Sequence, residues 1–104
     1  MFLEYVLSVN KKRIRLTYER WLHITENHTE IAGLKQEVLE TVYNPDFIAK
    51  GTFDEVYSCR YYKQLKNYLV VIYKESDVDG FIITAFRVRN IKPYLRKEIL
   101  WKKQ

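Results

Sequence analysis

Apolar residues recur with two different periods along the chain, and the change of period marks its elements. Leu3, Tyr5, Leu7 and Val9 alternate with Phe2, Glu4, Val6 and Ser8, the period of a strand with one strongly apolar face. Asn10-Lys11-Lys12 reads as a turn. Ile14 and Leu16 then alternate with Arg13, Arg15 and Thr17, so a second short strand can pair back as a hairpin. Thr17 is also a good N-cap for a helix beginning at Tyr18. From Tyr18 to about Asn27 the spacing becomes helical, with Tyr18, Trp21, Leu22 and Ile24 on one side, aimed at a core. His23 falls on the opposite side, near Glu19 and Glu26, facing solvent or a cleft.

After a break at His28-Thr29-Glu30 and Gly33, the positions Ile31, Leu34, Val38, Leu39, Val42 and Tyr43 predict a second amphipathic helix, which Asn44-Pro45-Asp46 ends. Residues 56–62, 68–74 and 81–88 read as an antiparallel meander, and Ser76-Asp77-Val78-Asp79-Gly80 is its clearest turn. Phe47-Ile48-Ala49 can add a short edge strand. Ile99-Leu100-Trp101 either closes the sheet or ends a helix over 94–101. The expected fold is α+β: an N-terminal strand or hairpin and two helices packed on an antiparallel sheet of about four strands, as a single domain over 1–104. Trp21 and Trp101 are expected in the core, and Cys59 buried and inert.

Composition narrows the function classes. A chain of 104 residues supports one core, and 47% hydrophobic with 15% aromatic residues argues against disorder despite the 30% that are charged. One cysteine allows no internal disulfide and no cysteine-built zinc site. The first residues lack a signal-peptide pattern and no run of about 18 apolar residues occurs, so a cytoplasmic protein without a membrane partner is expected. Residues 1–50 carry seven basic and seven acidic side chains, whereas 51–104 carry eleven against six, so the whole net charge of +5 lies in the second half. Such a basic segment suits a phosphate-bearing or acidic partner, or serves as a solvated face.

Walker, Rossmann, Gly-x-Ser-x-Gly and His-Glu-x-x-His patterns are absent from the sequence. His23 and His28, five apart, would not share a face of a continuous helix, so no metal site and no cofactor is expected. What remains is two histidines in the helical region, then Arg60, Tyr61, Tyr62 and Lys74 on the next strands, and Thr84 with Arg87 on the last. Metal-free RNA cleavage needs such parts: a base for the ribose 2′-OH proton, cations for the phosphorane oxygens, and an acid for the leaving 5′ oxygen. Histidine, with a reference pKa of about 6.5, suits either proton role.

The residue order carries a resemblance as well. Ile14-Arg15-Leu16-Thr17, Glu19-Arg20-Trp21-Leu22-His23-Ile24, His28-Thr29-Glu30, Asn44-Pro45-Asp46, Arg60-Tyr61-Tyr62, Tyr68-Leu69-Val70-Val71, Ile83-Thr84-Ala85-Phe86 and Leu100-Trp101-Lys102 together resemble small prokaryotic and phage proteins of the barnase, EndoU, colicin and RelE-like ribonuclease superfamily. The resemblance spans roughly 13–103. It implies helices on a four-stranded antiparallel sheet, RNA bound across the sheet and cut without a metal, and a toxin-like or phage-derived protein that can act with a cognate inhibitor, an antitoxin. On this likeness His23, in the Trp-x-His-Ile stretch, is the first catalytic candidate, followed by His28, Arg60 and Thr84, although Thr29 stands where the pattern often has proline after His28. Tyr62, Lys74, Arg87, Arg89 and Lys92 are the substrate-binding candidates.

Each candidate has a plainer role. His23 can be a surface histidine held by Glu19 or Glu26, His28 a helix cap, Arg60 and Lys74 ordinary strand residues, and Thr84 a β-branched strand former. One of Tyr61 and Tyr62 can stack on a base while the other packs, because alternation sends them to opposite faces. A non-catalytic RNA-binding or partner-binding module using the same basic face is the alternative function.

Overall fold

The computed structural model describes residues 2–104, with side chains from Glu4 onward. Seven strands are found among the described residues: β1 (Phe2–Leu7), β2 (Arg13–Thr17), β3 (Phe47–Lys50), β4 (Glu55–Tyr62), β5 (Asn67–Glu75), β6 (Asp79–Val88) and β7 (Ile99–Lys102). Helix α1 (Tyr18–Asn27), a 3₁₀ turn at Thr29–Ile31 and helix α2 (Lys35–Tyr43) link β2 to β3, and a short helix α3 (Lys92–Leu95) precedes β7. The strands form one sheet in the order β1-β2-β6-β5-β4-β3-β7. All pairs are antiparallel except β2 with β6, which run parallel. The expected meander is therefore present as β4-β5-β6. The expectation of about four strands is corrected to seven, because the N-terminal hairpin joins one side and β3 and β7 extend the other.

Local chemistry explains the boundaries. The Thr17 hydroxyl accepts from the Arg20 N–H at 3.1 Å and caps α1, while the His28 N–H closes its last turn on the Ile24 carbonyl. In the β1–β2 turn Lys11 adopts φ 66°, and in the β4–β5 turn Lys66 adopts φ 55°. Gly80 opens β6 where a Cβ would lie 2.1 Å from the Lys74 carbonyl and 2.8 Å from the Ile14 side chain, so only glycine fits this parallel junction.

The two faces of the sheet are packed differently. The inner face carries the larger core, in which Ile14, Leu16, Leu69, Val71, Tyr73, Ile82 and Ala85 of the sheet meet Ile24, Ile31, Val38, Leu39 and Val42 of the helical layer. Helix α1 lies against β2 and β6, and α2 against β1, β4 and β5. A cavity of about 130 Å³ is lined by Val9 and Asn10 of the first hairpin turn together with Ile48, Leu100 and Trp101 of the opposite edge, so the two ends of the sheet approach each other. The outer face carries a smaller core of Phe47, Ala49, Cys59 and Val70, covered by Ile91 and Tyr94 at the α3 segment.

Several burial expectations change. In α1 only Ile24 is buried; Tyr18 and Leu22 are 50% and 44% exposed, and Trp21 packs only partly against the core. The helix contacts the sheet through a narrow stripe, so the rest of its apolar side lies outside the layer. On β1 it is Val6, opposite Ile14, that meets the core, while Tyr5 and Leu7 are exposed. The strongly apolar alternation of that strand thus turns outward; its Leu3 side chain lies outside the described residues. Trp101 is half-buried rather than a core residue.

Candidate nucleic-acid interface

Strand register places the candidates on faces. On the outer face, Tyr57 of β4, Ile72 of β5 and Thr84 of β6 form one row, Cys59, Val70 and Phe86 the next, and Tyr61, Tyr68 and Val88 a third. The alternate residues Arg60, Leu69 and Arg87 form a row on the inner face. The sheet therefore lies between Arg60 and Thr84, and these two catalytic candidates do not share one surface.

Arg60 is tied into the helical layer. Its Nη1 donates to the Asn44 carbonyl at 2.8 Å, its Nη2 lies 3.9 Å from a Glu40 carboxylate oxygen, and its guanidinium covers the Tyr62 ring at 5.3 Å. It thereby satisfies the C-terminal end of α2. Arg87 donates to the Leu65 carbonyl at 3.1 Å and so braces the β4–β5 turn from the inner side. Tyr62, expected to contact substrate, is 3% exposed. Its hydroxyl donates to the Glu37 carbonyl at 2.9 Å and lies 3.1 Å from the Thr41 hydroxyl. Burial pushes the pKa of its phenol up, well above the ordinary tyrosine range. Tyr62 is thus corrected to a core residue; of the tyrosine pair, Tyr61 is the accessible member.

The histidines part company. His23 lies on the exposed side of α1, beside a shallow depression of about 240 Å³ shared with Thr17, Glu19 and Arg20, and the Asn27 amide donates to its carbonyl at 2.9 Å. His28 ends α1 and turns back to the sheet, its ring 5.6 Å from that of Phe86. Its Nδ1 lies 3.6 Å from a Glu30 carboxylate oxygen. Thr84 stands two residues before Phe86 on the same face and is half-buried. His28 is accordingly the histidine that borders the outer face.

From His28 a line of rings continues across that face. Phe86 lies 6.3 Å from Tyr94, Tyr94 lies 5.8 Å from Tyr57, and Lys97 Nζ sits 4.9 Å from the Tyr57 ring centroid. A second ring pair, Tyr61 and Tyr68, meets edge to face at 5.2 Å. Arg89 and Lys92 are exposed near α3 and form no ion pair among the described residues. Lys74, by contrast, lies 3.7 Å from an Asp54 oxygen. It also faces Glu55, whose carboxyl is held below the usual range by its own N–H, by the Phe53 and Thr52 amides and by Lys74. Cys59 is buried at the centre of the outer core, where desolvation and then the Asp46 charge push its thiol up to about 12.

Residues that sequence reasoning missed are Tyr57, Tyr68, Tyr94 and Lys97. Period-two alternation places Tyr57 on the Tyr61 face, and the β4–β5 register adds Tyr68, but nothing in the pattern tells which face the helices cover. Among the described residues no group of three or more His, Cys, Asp or Glu side chains gathers in a way that could hold a metal ion. No helix among them is long and apolar enough to cross a membrane. No protein family, curated protein or solved structure matches the chain. The functional reading therefore stands on the chain's own residues.

Proposed function

We propose that this protein is a metal-independent endoribonuclease that binds RNA on the outer face of its sheet and uses His28 as its general base. The observation that carries the reading is the docking of His28 on Phe86, which sets an imidazole at the border of a face lined with rings and exposed cations. Glu30 beside Nδ1 favours the tautomer with the proton on that nitrogen, leaving Nε2 to accept one. In the reaction Nε2 takes the 2′-OH proton, the 2′ oxygen attacks phosphorus as the bond from phosphorus to the 5′ oxygen breaks, and the leaving 5′ oxygen takes its proton from solvent water, giving a 2′,3′-cyclic phosphate. Lys97, at the far end of the ring line, and the exposed Arg89 and Lys92 supply positive charge to the backbone. A toxin-like or phage-derived origin, a cytoplasmic location and a cognate inhibitor accompany this reading through the resemblance alone.

The second reading, a non-catalytic RNA-binding module, has its own observation in favour: Arg60 is engaged on the inner face and His23 stands apart on α1, so the four catalytic candidates are not assembled at one point. Incubating the protein with labelled RNA in the presence of chelator separates the two. Cleavage is expected, with His28→Ala slowing it by about 10²-fold or more, the usual scale of acid–base catalysis, and His23→Ala leaving it near the wild-type rate. A folded His28→Ala protein that cuts at the wild-type rate removes His28 from the mechanism. Binding without cleavage in the wild type establishes the module.

A further inference from the structure

We infer that Tyr61 and Tyr68 form a base-stacking platform that makes unpaired RNA, not duplex, the ligand of the outer face; this rests on the proposed RNA-binding function. Tyr61 is 44% exposed at the end of β4, and its ring meets the half-buried ring of Tyr68 edge to face at 5.2 Å, which holds it in place. Its backbone is held too: the Tyr61 N–H donates to the Asp46 carboxylate at 2.8 Å. A ring held against a neighbouring ring on an anchored backbone loses little freedom when a base stacks on it.

Exposed cations neighbour the pair in sequence and strand register. Lys63 and Lys66 project from the β4–β5 turn immediately beyond Tyr61, and Arg89 follows Val88, the residue opposite Tyr68. Lys103 comes in from the β7 side, its N–H donating to the Asp46 carbonyl at 2.9 Å. All four are exposed, and none forms an ion pair among the described residues. The carboxylate of Asp46 at the centre repels phosphate, whereas the rim attracts it, so the rings are left to the bases and the backbone is led around them. Bases inside a duplex have their faces covered by their neighbours and cannot use such a ring; bases of a single strand can.

The test uses the full chain and two fluorescent probes of about twelve nucleotides, a length within the usual single-strand site size, both 2′-O-methylated so that neither can be cut. One is an unstructured strand and the other a duplex of the same length. The wild type is expected to prefer the single strand. Tyr61→Ala should weaken that complex about tenfold without changing its salt slope, since no charge is removed, and should leave the duplex affinity unchanged. Tyr61→Phe, which keeps the ring, should retain wild-type binding. Unchanged single-strand affinity in Tyr61→Ala, or an equal loss for both probes, overturns the platform while the RNA reading stands. Failure of the wild type to bind either probe at low salt overturns both.

Discussion

Tyr61 and Tyr62 are chain neighbours with the same side chain, yet one lies 44% exposed against another ring and the other is 3% exposed with its hydroxyl bonded to α2. The difference belongs to the faces of the sheet. On the inner face the helices exclude water, so the polar groups there are tied to carbonyls: Tyr62 to Glu37, Arg60 to Asn44 and Arg87 to Leu65. On the outer face only α3 and its flanks cover the centre, and rings and cations remain available at the ends. Among the tyrosines and arginines of β4 to β6, the face that alternation gives a side chain, and not its type, thus decides whether it is held beneath the helices or left accessible.

Charge follows the same division. The helical segment 18–44 carries Glu19, Glu26, Glu30, Glu37 and Glu40 against Arg20 and Lys35, a net of −3, so the remainder of the chain carries +8. Halving the sequence at residue 50 hides this, because the basic hairpin residues Lys11, Lys12, Arg13 and Arg15 cancel the acids of the helices. In the folded protein the hairpin belongs to the sheet. The segment that forms the helical layer is thus net acidic, and the strand-bearing remainder carries the protein's positive charge.

The sharpest test of the two-face picture compares the tyrosine neighbours directly. Tyr62→Ala removes a buried ring and leaves Thr41 and the Glu37 carbonyl without that partner, so a loss of about 3 to 5 kcal/mol is expected. Tyr61→Ala should cost about 1 kcal/mol or less, because it forfeits little beyond one ring contact. Denaturant midpoints of the two variants measure both; equal losses would show that the faces are not energetically distinct.

High pH provides a second test. Burial raises the pKa values of Tyr62 and Tyr73 on the inner face, and it raises Cys59 in the outer core from 9.0 to about 12. A group raised in the folded state contributes stability that is complete below its unfolded pKa and is lost as pH rises through the folded one. For Cys59 that window runs from 9.0 to about 12. Stability should therefore fall across this range, with phenolate absorbance from Tyr62 and Tyr73 appearing together with loss of the fold. Cys59→Ala should decline less steeply over the same window. Wild-type and variant stability that decline in parallel would remove the thiol from the explanation.

Much of the architecture was legible in the sequence, for identifiable reasons. Period-two runs and the turn stretch from Ser76 located the meander, although Asp79 and Gly80 at the end of that stretch already belong to β6; Thr17 located the start of α1, and Asn44-Pro45-Asp46 the end of α2. The parallel contact of β2 with β6 was not legible, since it depends on where the helical crossover returns the chain. Nor was the exposure of Tyr18 and Leu22, because an apolar stripe gives the direction of a helix face but not the width of the sheet beneath it. The candidate site was half legible. His28 and Thr84 fall on or beside the outer face and Arg89 and Lys92 are exposed beyond the end of β6, whereas Tyr62, Arg60 and Arg87 follow alternation to the inner face and Lys74 is held by Asp54.

The smallest expected effect concerns Lys66, where stability and binding should separate. Its φ of 55° places a side chain in the left-handed region, which costs an L-residue about 1 to 2 kcal/mol and costs glycine almost nothing. Glycine brings a more flexible unfolded chain, which takes back about 0.5 to 1 kcal/mol. Lys66→Gly should then stabilise the protein by about 0.5 kcal/mol. The same substitution removes one rim cation beside the tyrosine pair, so the salt slope of single-strand RNA binding should shrink by about 0.7, the share of one phosphate contact. Thermal denaturation and a salt titration of the variant read the two effects independently. A variant that gains stability and keeps the full slope leaves Lys66 as a turn residue only; one that gains stability and loses slope shows the strained turn retained for the charge it presents at the outer face.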